Sequence, residues 1–351
     1  MPADKSVNKN KSNKAKKSLL KTVVTAIFVL ILTPIFVLAV LYFLLSSTVP
    51  NIISLKDYHP QQVNYVYSSG GKLVGYLGSV NREVVPFSDI PLQVREAFLA
   101  AEDKNFYNQG PLDFKAIARA FVVNLMEGRI VEGGSTITQQ VAKTLLVPYE
   151  RTYIWKLREA ILAYRIADHL SKNDILDIYL NQIYLGNNAY GVEAASLTYF
   201  GVPVWKLNLA QSAMLGGLPQ APSFLNPYVH LRDAKRRQKY VLDQMVKDGF
   251  ITKVEAIAAY NTKLVFHNYF AYYGVAPYYL ALIKQQVVNR YGKAVYKEGG
   301  LKIYSALSAR AQKYADEAVK PGLTKLSHEY GYSCLVFMEQ KKINSRTHGS
   351  R

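Results

Sequence analysis

A glycine pair opens the most distinctive run of this sequence, Gly133-Gly134-Ser135-Thr136-Ile137-Thr138-Gln139-Gln140-Val141-Ala142-Lys143. Hydroxyl residues after two glycines predict the start of a helix whose backbone N–H groups and dipole attract an anion. Thr136, Gln140 and Lys143 then share one helical face, from which the lysine can reach a phosphate. The spacing is not that of a nucleotide P-loop. An ordinary helix start capped by Ser135 is the simpler alternative.

Two glutamates on either side of this run interrupt otherwise apolar helix faces. The face of the helix that follows Pro91 carries Val94, Phe98, Glu102 and Phe106. A second helix, at about 151–170, repeats the pattern with Trp155, Glu159, Leu162, Ala163 and Ile166. An apolar environment disfavours a charged carboxylate, which suits Glu102 to accept a proton near neutral pH. The two glutamates therefore suggest a paired-carboxylate site, as in glycosyl chemistry; a glutamate at a helix end, paired with Lys or Arg, is the alternative.

The composition excludes several classes of protein. Of the 351 residues, 50% are apolar and 19% charged, which excludes a wholly disordered chain. The single cysteine, Cys334, excludes an intramolecular disulfide framework and any zinc site with two or more thiolates. The formal net charge of +18 points to nucleic acid or to an anionic membrane, depending on where the charge lies.

The N-terminal residues favour the membrane. Residues 1–21 hold seven lysines and one acidic residue and cannot form a core. The 24 residues from Thr22 to Leu45 carry no charge, and as a helix they would reach roughly 36 Å, enough to cross about 30 Å of hydrocarbon. A cleaved signal peptide would have a shorter apolar region. Lysines before the span place the tail in the cytoplasm and the rest of the chain outside, so nucleic acid is not an expected partner.

The remaining chain is predicted to be mostly α-helical, with small β-containing regions on either side of the helices. The predicted segments are a cytoplasmic basic tail (1–21), a transmembrane helix (22–45), juxtamembrane strands (46–88), a helical domain (89–260), a linker (261–330) and an irregular tail (331–351). Strands are expected at 63–67 and 73–77 around a turn at 68–71, and the linker is expected to hold a helix at about 280–291 and a strand around 301–307.

Five ordered motifs resemble those of the peptidoglycan glycosyltransferases, glycosyltransferase family 51. The first three are Glu102-Asp103-Lys104-Asn105-Phe106-Tyr107, the run from Gly133 to Lys143, and Lys156-Leu157-Arg158-Glu159. The fourth runs from Ile175 to Gly186 with Tyr190-Gly191, and the fifth from Leu209 to Ser223 with Asn226-Pro227. The segment from Gly299 to Ser305 resembles the linker that precedes the transpeptidase domain of class A penicillin-binding proteins. The chain thus resembles such a protein truncated before that domain, and transpeptidase activity is not expected.

The resemblance implies a lysozyme-like glycosyltransferase domain that polymerises lipid II into β-1,4-linked glycan strands. The donor anomeric carbon would be inverted and undecaprenyl pyrophosphate released. Glu102 would be the general base, and Glu159 would organise the cations or a divalent metal, Mg²⁺ or Mn²⁺, near the pyrophosphate; no organic cofactor is implied. Lys143, Lys156 and the N–H groups of Ser135 and Thr136 would stabilise the leaving group. The other implied substrate-binding residues are Asp103, Phe106, Gln139, Gln140 and Arg151.

The implied partners are lipid II, the growing glycan strand, anionic membrane lipids, and proteins of cell-wall synthesis or division. The implied location is the inner membrane of a bacterium, with a single span, a cytoplasmic N-terminus and an extracytoplasmic catalytic domain. The apolar stretch from Phe121 to Met126, with Ile130-Val131, would then either dip into the lipid or belong to an ordinary core helix.

Five positions depart from the family pattern, one of them Gln211, where the family usually has Glu. Gln109 and Pro111 stand where the family usually has His and Gly, Thr144 replaces the usual Asn, and Trp155 replaces the Arg before Lys156. Losing that arginine removes a bidentate phosphate donor, for which Arg151 or Arg158 could compensate. Two other functions therefore stay open: a catalytically weakened scaffold that binds lipid II or division proteins, and a lysozyme-like hydrolase.

Overall fold

The computed structural model describes residues 39–49, 60–78, 80–129, 133–146, 152–267 and 276–330, together with part of 21–37. The chain divides into two compact units. Unit 1 takes its residues from Met1–Tyr58 and Asn105–Leu176, and unit 2 from His59–Lys104 and Asp177–Arg351. The predicted tails at 1–20 and 331–351, and Arg151 among the predicted site residues, lie outside the described residues.

The described part of the chain is mostly helical, as predicted. The helices with defined bounds are α1 (Leu92–Glu102), α2 (Phe114–Glu127), α3 (Ile137–Leu145), α4 (Tyr153–His169), α5 (Lys172–Gln182), α6 (Val192–Phe200), α7 (Leu209–Gly217), α8 (Leu231–Lys247), α9 (Lys253–Asn261), α10 (Pro277–Glu298) and α11 (Ala309–Tyr330). The strands are β1 (Asn64–Tyr67), β2 (Leu73–Leu77), β3 (Asn81–Arg82), β4 (Ala189–Tyr190) and β5 (Lys302–Tyr304). The boundary between the units falls inside α5.

In unit 1, the glycine-rich run leads into α3, which packs against α4. The cap of α3 is Thr136, so the alternative of a helix start capped by Ser135 misplaced the cap by one residue. The Thr136 hydroxyl accepts from the Gln139 N–H, while the Gln139 side chain accepts from the Thr136 N–H, each at 3.1 Å. This capping box satisfies two backbone donors reciprocally. A Cβ on Gly134 would lie 2.9 Å from the Cα of Ile117, so glycine is needed where the run crosses α2.

Arg165 on α4 links the domain to the segment that precedes it in unit 1. Its guanidinium donates to the backbone oxygens of Ser46 and Val49, at 2.7 and 3.2 Å. Residues 39–46 are helical, so the cation lies at the C-terminal end of that helix. Cationic side chains there satisfy the last carbonyl groups and complement the helix dipole.

The core of unit 2 forms where α1, α7 and α8 pack together. Ala97, Ala213 and Val241 have no exposed surface. A Cβ on Gly216 would lie 2.9 Å from backbone atoms of Ala97, so glycine permits the close approach of α7 to α1. This packing fixes the axis of α1 and hence the direction in which its last residue, Glu102, projects.

A three-stranded sheet in unit 2 joins two segments that are far apart in the sequence. Its order is β2-β1-β5, with β1 antiparallel to β2 and parallel to β5. The strands and turn expected at 63–77 and the strand expected near 301–307 are confirmed. One face of the sheet packs on α10, where Val66 and Val74 meet Leu280 and Ile283. The predicted juxtamembrane and linker segments therefore share one small core.

Within the described parts of the chain, no helix has both the length and the apolar character that a membrane span requires. Part of the predicted span at 22–45 lies outside the described residues, and the span stays a prediction.

Candidate functional site

Most of the predicted site residues lie in unit 1, around the start of α3 and the first half of α4. The predicted apolar face of α4 is confirmed, because Trp155, Leu162, Ala163 and Ile166 are buried. Glu159 lies on the same face and exposes only 2% of its surface. A carboxylate at such a position requires polar partners, and unit 1 supplies them.

The carboxylate of Glu159 is held by two side chains. Its Oε1 atom accepts from the Lys156 ammonium one turn earlier on α4 and from Gln139 Nε2 at 3.3 Å. Lys156 also donates to the Ser135 hydroxyl at 3.2 Å. The predicted residues Ser135, Gln139, Lys156 and Glu159 therefore form one network, which we call the Lys156 cluster.

The Lys156 cluster has a buried side and an exposed side. Glu159 and Gln139 are buried, whereas Ser135 is exposed and the Lys156 side chain is 50% exposed. The Lys156 ammonium contacts the buried Glu159 carboxylate and is also accessible to solvent. A cation in such a position can bind an anion such as a phosphate oxygen. Lys143 is exposed in the last turn of α3, and Gln140 is partly exposed.

Two of the predicted substrate-binding groups have structural partners instead. The Thr136 N–H, one of the two backbone groups expected to bind an anion, donates to the Gln139 side chain. The Thr136 hydroxyl donates to the Pro111 carbonyl at 2.7 Å. Phe106 is buried beneath the Lys172 ammonium, 4.6 Å from its ring centroid, and Lys172 also donates to the Gln109 carbonyl at 2.8 Å. These contacts anchor the loop before α2 through backbone atoms of Gln109 and Pro111, so they do not depend on the side chains at these two positions.

Trp155 is a buried aromatic residue at the position where the resemblance implies an arginine. Its side chain is 5% exposed and lies on the buried face of α4. The position where the resemblance implies an arginine is therefore occupied by a core residue. Arg158, one of the two predicted substitutes, is partly exposed, and its Nε atom is buried without a hydrogen-bond partner among the described residues.

The Mg²⁺ or Mn²⁺ ion that the resemblance implies stays an expectation. Among the described residues, no group of three or more His, Cys, Asp or Glu side chains could hold a metal ion. Divalent cations such as Mg²⁺ prefer several oxygen ligands, whereas the Glu159 carboxylate already contacts an ammonium.

The predicted base, Glu102, is the last residue of α1 in unit 2. Val94 and Phe98 on the same face are fully buried, which confirms the predicted apolar stripe. The Glu102 side chain is 13% exposed, and its carboxylate lies 3.9 Å from the guanidinium of Arg237, which is 14% exposed. Asp103 follows at the C-cap and is buried. Glu102 is therefore a glutamate at a helix end with an arginine partner, as the alternative stated. Both side chains are largely excluded from solvent.

Arg237 on α8 was not predicted as a site residue, although it interrupts an apolar helix face in the same way as the two glutamates. It lies on the buried stripe of α8, three residues after Ala234 and four before Val241. An arginine on an apolar helix face requires an acidic partner or a ligand. The identity of that partner depended on the packing of α8 against α1.

The fourth motif has a structural role in unit 2. The side-chain oxygen of Asn181 accepts from the Val85 N–H, and its amide donates to the Val85 carbonyl, both at 3.0 Å. This pair of bonds fixes the segment that leads into α1. Tyr179, two residues earlier on α5, is buried against Phe98.

Comparisons with known proteins identify the family of this chain. A family profile described as Transglycosylase matches residues 70–246. Penicillin-binding protein 1A of Aquifex aeolicus (strain VF5) is 41% identical over 294 residues, 84% of this chain and 40% of that protein. Penicillin-binding protein 1A of Neisseria lactamica is 38% identical over 317 residues, 90% of this chain and 40% of that protein. The crystal structure of penicillin-binding protein 1A from Haemophilus influenzae aligns with 26% identity and a TM-score of 0.48, over 79% of this chain and 31% of that one.

This chain spans about 40% of the length of the curated relatives that it matches. The profile covers half of the chain and includes both candidate glutamates and the glycine-rich run. The chain belongs to the Transglycosylase family and carries the glycosyltransferase domain of the class A penicillin-binding proteins.

Proposed function

We propose that this chain is a peptidoglycan glycosyltransferase that polymerises lipid II into β-1,4-linked glycan strands. The observation that carries this proposal is the placement of Glu102, a partly accessible carboxylate at the end of a buried helix and beside one fixed guanidinium. Such a carboxylate is suited to remove a proton from a bound hydroxyl group, because a neighbouring cation favours its ionised form.

In the proposed step, Glu102 accepts the proton of the acceptor's sugar 4-hydroxyl while that oxygen attacks the donor's anomeric carbon. A C–O bond to the acceptor forms, and the C–O bond to undecaprenyl pyrophosphate breaks. The leaving group departs with the electron pair, so one displacement inverts the anomeric carbon. Negative charge therefore grows on the pyrophosphate and not on the base.

The Lys156 cluster is proposed to stabilise that charge. Lys156 is held in one direction by Glu159 and Ser135, and Gln139 fixes Glu159 from the capping box of α3. Fixed donors stabilise a developing charge without the cost of reorganising at the moment of reaction. Lys143 is proposed as a second cation, with Gln140 and Arg158 as further donors to the phosphates.

The exposed face of α2 is proposed to contact the membrane in which the lipid substrates remain. Phe121, Leu125 and Met126 are exposed and share one side of the helix, which favours the lipid-contact hypothesis over the core-helix alternative. Lys115 and Arg129 are exposed at the two ends of this stripe, where they can meet anionic headgroups. A location at the bacterial inner membrane follows from this proposal.

The buried Trp155 favours a second candidate, a scaffold that binds lipid II without turnover, because the usual phosphate donor is missing. A polymerisation assay separates the two functions. The purified full chain in detergent is given lipid II, and the glycan products are separated by electrophoresis. We expect glycan strands from the wild-type chain, and a rate at least about 100-fold lower for Glu102→Gln.

The matched control is Glu96→Gln, which changes another partly buried glutamate of α1 and is expected to leave the rate within about twofold. Polymerisation that persists in Glu102→Gln would overturn the assignment of the base. Binding of lipid II without product by the wild-type chain would favour the scaffold. Solubilisation of finished peptidoglycan would favour the hydrolase.

A further inference from the structure

Tyr179 on α5 is a buried phenol whose hydroxyl group has no hydrogen-bond partner among the described residues. The residue is 2% exposed, and its oxygen atom is inaccessible to water. Buried tyrosine hydroxyl groups usually find a partner. Tyr199 in the same unit follows that rule, since its hydroxyl donates to the Leu185 carbonyl at 2.9 Å. The unpartnered hydroxyl of Tyr179 therefore calls for an explanation.

The surroundings of Tyr179 point to Glu102. The Tyr179 ring meets the Phe98 ring edge to face, with centroids 6.2 Å apart and planes at 79°. Phe98 lies one helical turn before Glu102, on the same face of α1. Burial raises the pKa of Tyr179, and the negative charges of Glu102 and Asp103 raise it further. The phenol thus stays protonated within the field of both carboxylates.

A protonated phenol close to a carboxylate can act as its hydrogen-bond donor. Donation to the ionised form of a carboxylate stabilises that form and fixes the direction of its oxygens. Catalytic hydrogen bonds are often incomplete before the substrate binds and tighten in the complex. An unsatisfied buried donor is unfavourable for stability, so its retention beside the proposed base is consistent with a catalytic benefit.

We propose that Tyr179 is a positioning residue for Glu102, donating its hydroxyl proton to the Glu102 carboxylate when the acceptor sugar binds. This inference rests on the proposed function, because it presumes that Glu102 removes a proton from that sugar. The donor keeps the carboxylate ionised and aimed at the acceptor hydroxyl until the proton is transferred.

Few other titratable groups face Glu102 from the elements of unit 2 that pack against α1. Arg237 comes from α8, Asp103 follows Glu102 directly, and α7 contributes no titratable side chain. Among the described residues of unit 2, Arg237 and Asp103 stay beside the base when the Tyr179 hydroxyl is removed, and the change should be visible in the pH dependence of the rate.

The test compares Tyr179→Phe with Tyr199→Phe in the full chain. Each change removes one buried hydroxyl and keeps the ring. For Tyr179→Phe we expect an unchanged or higher Tm, because an unpartnered donor is lost, together with a kcat lower by about tenfold. The acidic limb of the profile of kcat against pH should move to higher pH, while KM changes little. For Tyr199→Phe we expect a lower Tm, because a made hydrogen bond is lost, and an unmoved acidic limb.

Three outcomes would count against the inference. An unchanged kcat and acidic limb in Tyr179→Phe would overturn it while leaving the proposed function intact. A lower kcat with a lower Tm and an unmoved limb would assign Tyr179 a structural role only. A wild-type chain that makes no glycan from lipid II would overturn the proposed function, and this inference with it.

Discussion

The guanidinium of Arg237 lies 3.9 Å from the carboxylate of Glu102, and both side chains are largely buried in unit 2. Arg237 is itself held in place. Its Nε atom donates to the Gly217 carbonyl at 3.3 Å, and its guanidinium lies 4.3 Å from the centroid of the Tyr240 ring. The proposed base therefore has a fixed cationic neighbour, and a change at Arg237 should alter catalysis more than it alters binding.

Replacing Arg237 by glutamine should lower the rate of lipid II polymerisation by about 10- to 100-fold. The cause is the loss of the cation that favours the ionised form of Glu102. The neighbouring Arg236→Gln is a close control, because the Arg236 side chain is 78% exposed and pairs with Asp233 at the surface. Equal rates for the two variants would contradict the role assigned to Arg237.

Replacing Lys156 by methionine should reduce both stability and activity. It leaves the Glu159 carboxylate buried without its cation, which should lower the free energy of unfolding in urea by about 1–3 kcal/mol. The double variant Lys156→Met/Glu159→Gln removes the uncompensated charge and should regain most of that stability. Its polymerisation rate should stay low, because the cation is still missing. Recovery of the rate together with stability would show that the Lys156 cluster is structural only.

Restoring the family's arginine at position 155 should harm the protein. Trp155 is buried, so Trp155→Arg places a charge in the core of unit 1 and should lower the free energy of unfolding by about 3 kcal/mol. Thr144→Asn, which restores a family residue at an exposed position, should change it by less than about 0.5 kcal/mol. A Trp155→Arg variant that is fully stable and faster than wild type would contradict the core role of Trp155.

Glu193 in unit 2 should make stability depend on pH. It is buried and accepts from the Val204 N–H at 2.6 Å. Burial raises its pKa from 4.5 to about 7; the hydrogen bond from Val204 opposes this, and the charge of Glu83 adds to it. Between those values the folded chain binds more protons than the unfolded chain. The resulting stabilisation is complete below pH 4.5 and is lost as the pH rises to about 7.

Denaturant unfolding between pH 5 and pH 8 measures this effect. Relative to Glu193→Gln, which cannot ionise, the wild-type chain should lose about 2 kcal/mol over that interval, since each unit of pKa difference corresponds to about 1.36 kcal/mol and part of the loss occurs below pH 5. A wild-type chain that gains stability relative to the variant as the pH rises would show that the pKa of Glu193 is lowered instead.

A fluorescent label on the exposed face of α2 should report contact with lipid. In a Cys334→Ser background, a probe attached at Leu125→Cys in vesicles that contain phosphatidylglycerol should be quenched by spin labels on the acyl chains. Leu125 is 71% exposed and belongs to the apolar stripe, whereas Asp168→Cys labels a polar exposed position in the same unit. Equal quenching of the two probes would argue against lipid contact by α2.

Features that depend on neighbours within one or two turns were predictable from the sequence. The spacing of apolar residues placed Glu159 on the buried face of α4 and Glu102 on that of α1, because both faces repeat with the helical period. Two short strand-like runs on either side of the Ser-Ser-Gly-Gly turn at 68–71 predicted β1 and β2, because the turn lies between them in the sequence. The N-cap of α3 was misplaced by one residue because Ser135 and Thr136 are both good caps, and the side chain of Gln139 decides between them.

Contacts between distant parts of the chain depended on the tertiary structure. Arg237 meets Glu102 only because α8 packs on α1, and β5 joins β1 only because α10 brings it back beside that strand. Packing also turned Trp155 into a core residue and left the hydroxyl of Tyr179 without a hydrogen-bond partner in the part of the chain that the structure describes. The periodicity of a sequence determines which face of a helix is buried, whereas the choice of partner for a buried charge or hydroxyl is made by the side chains that folding brings within a few ångströms of it.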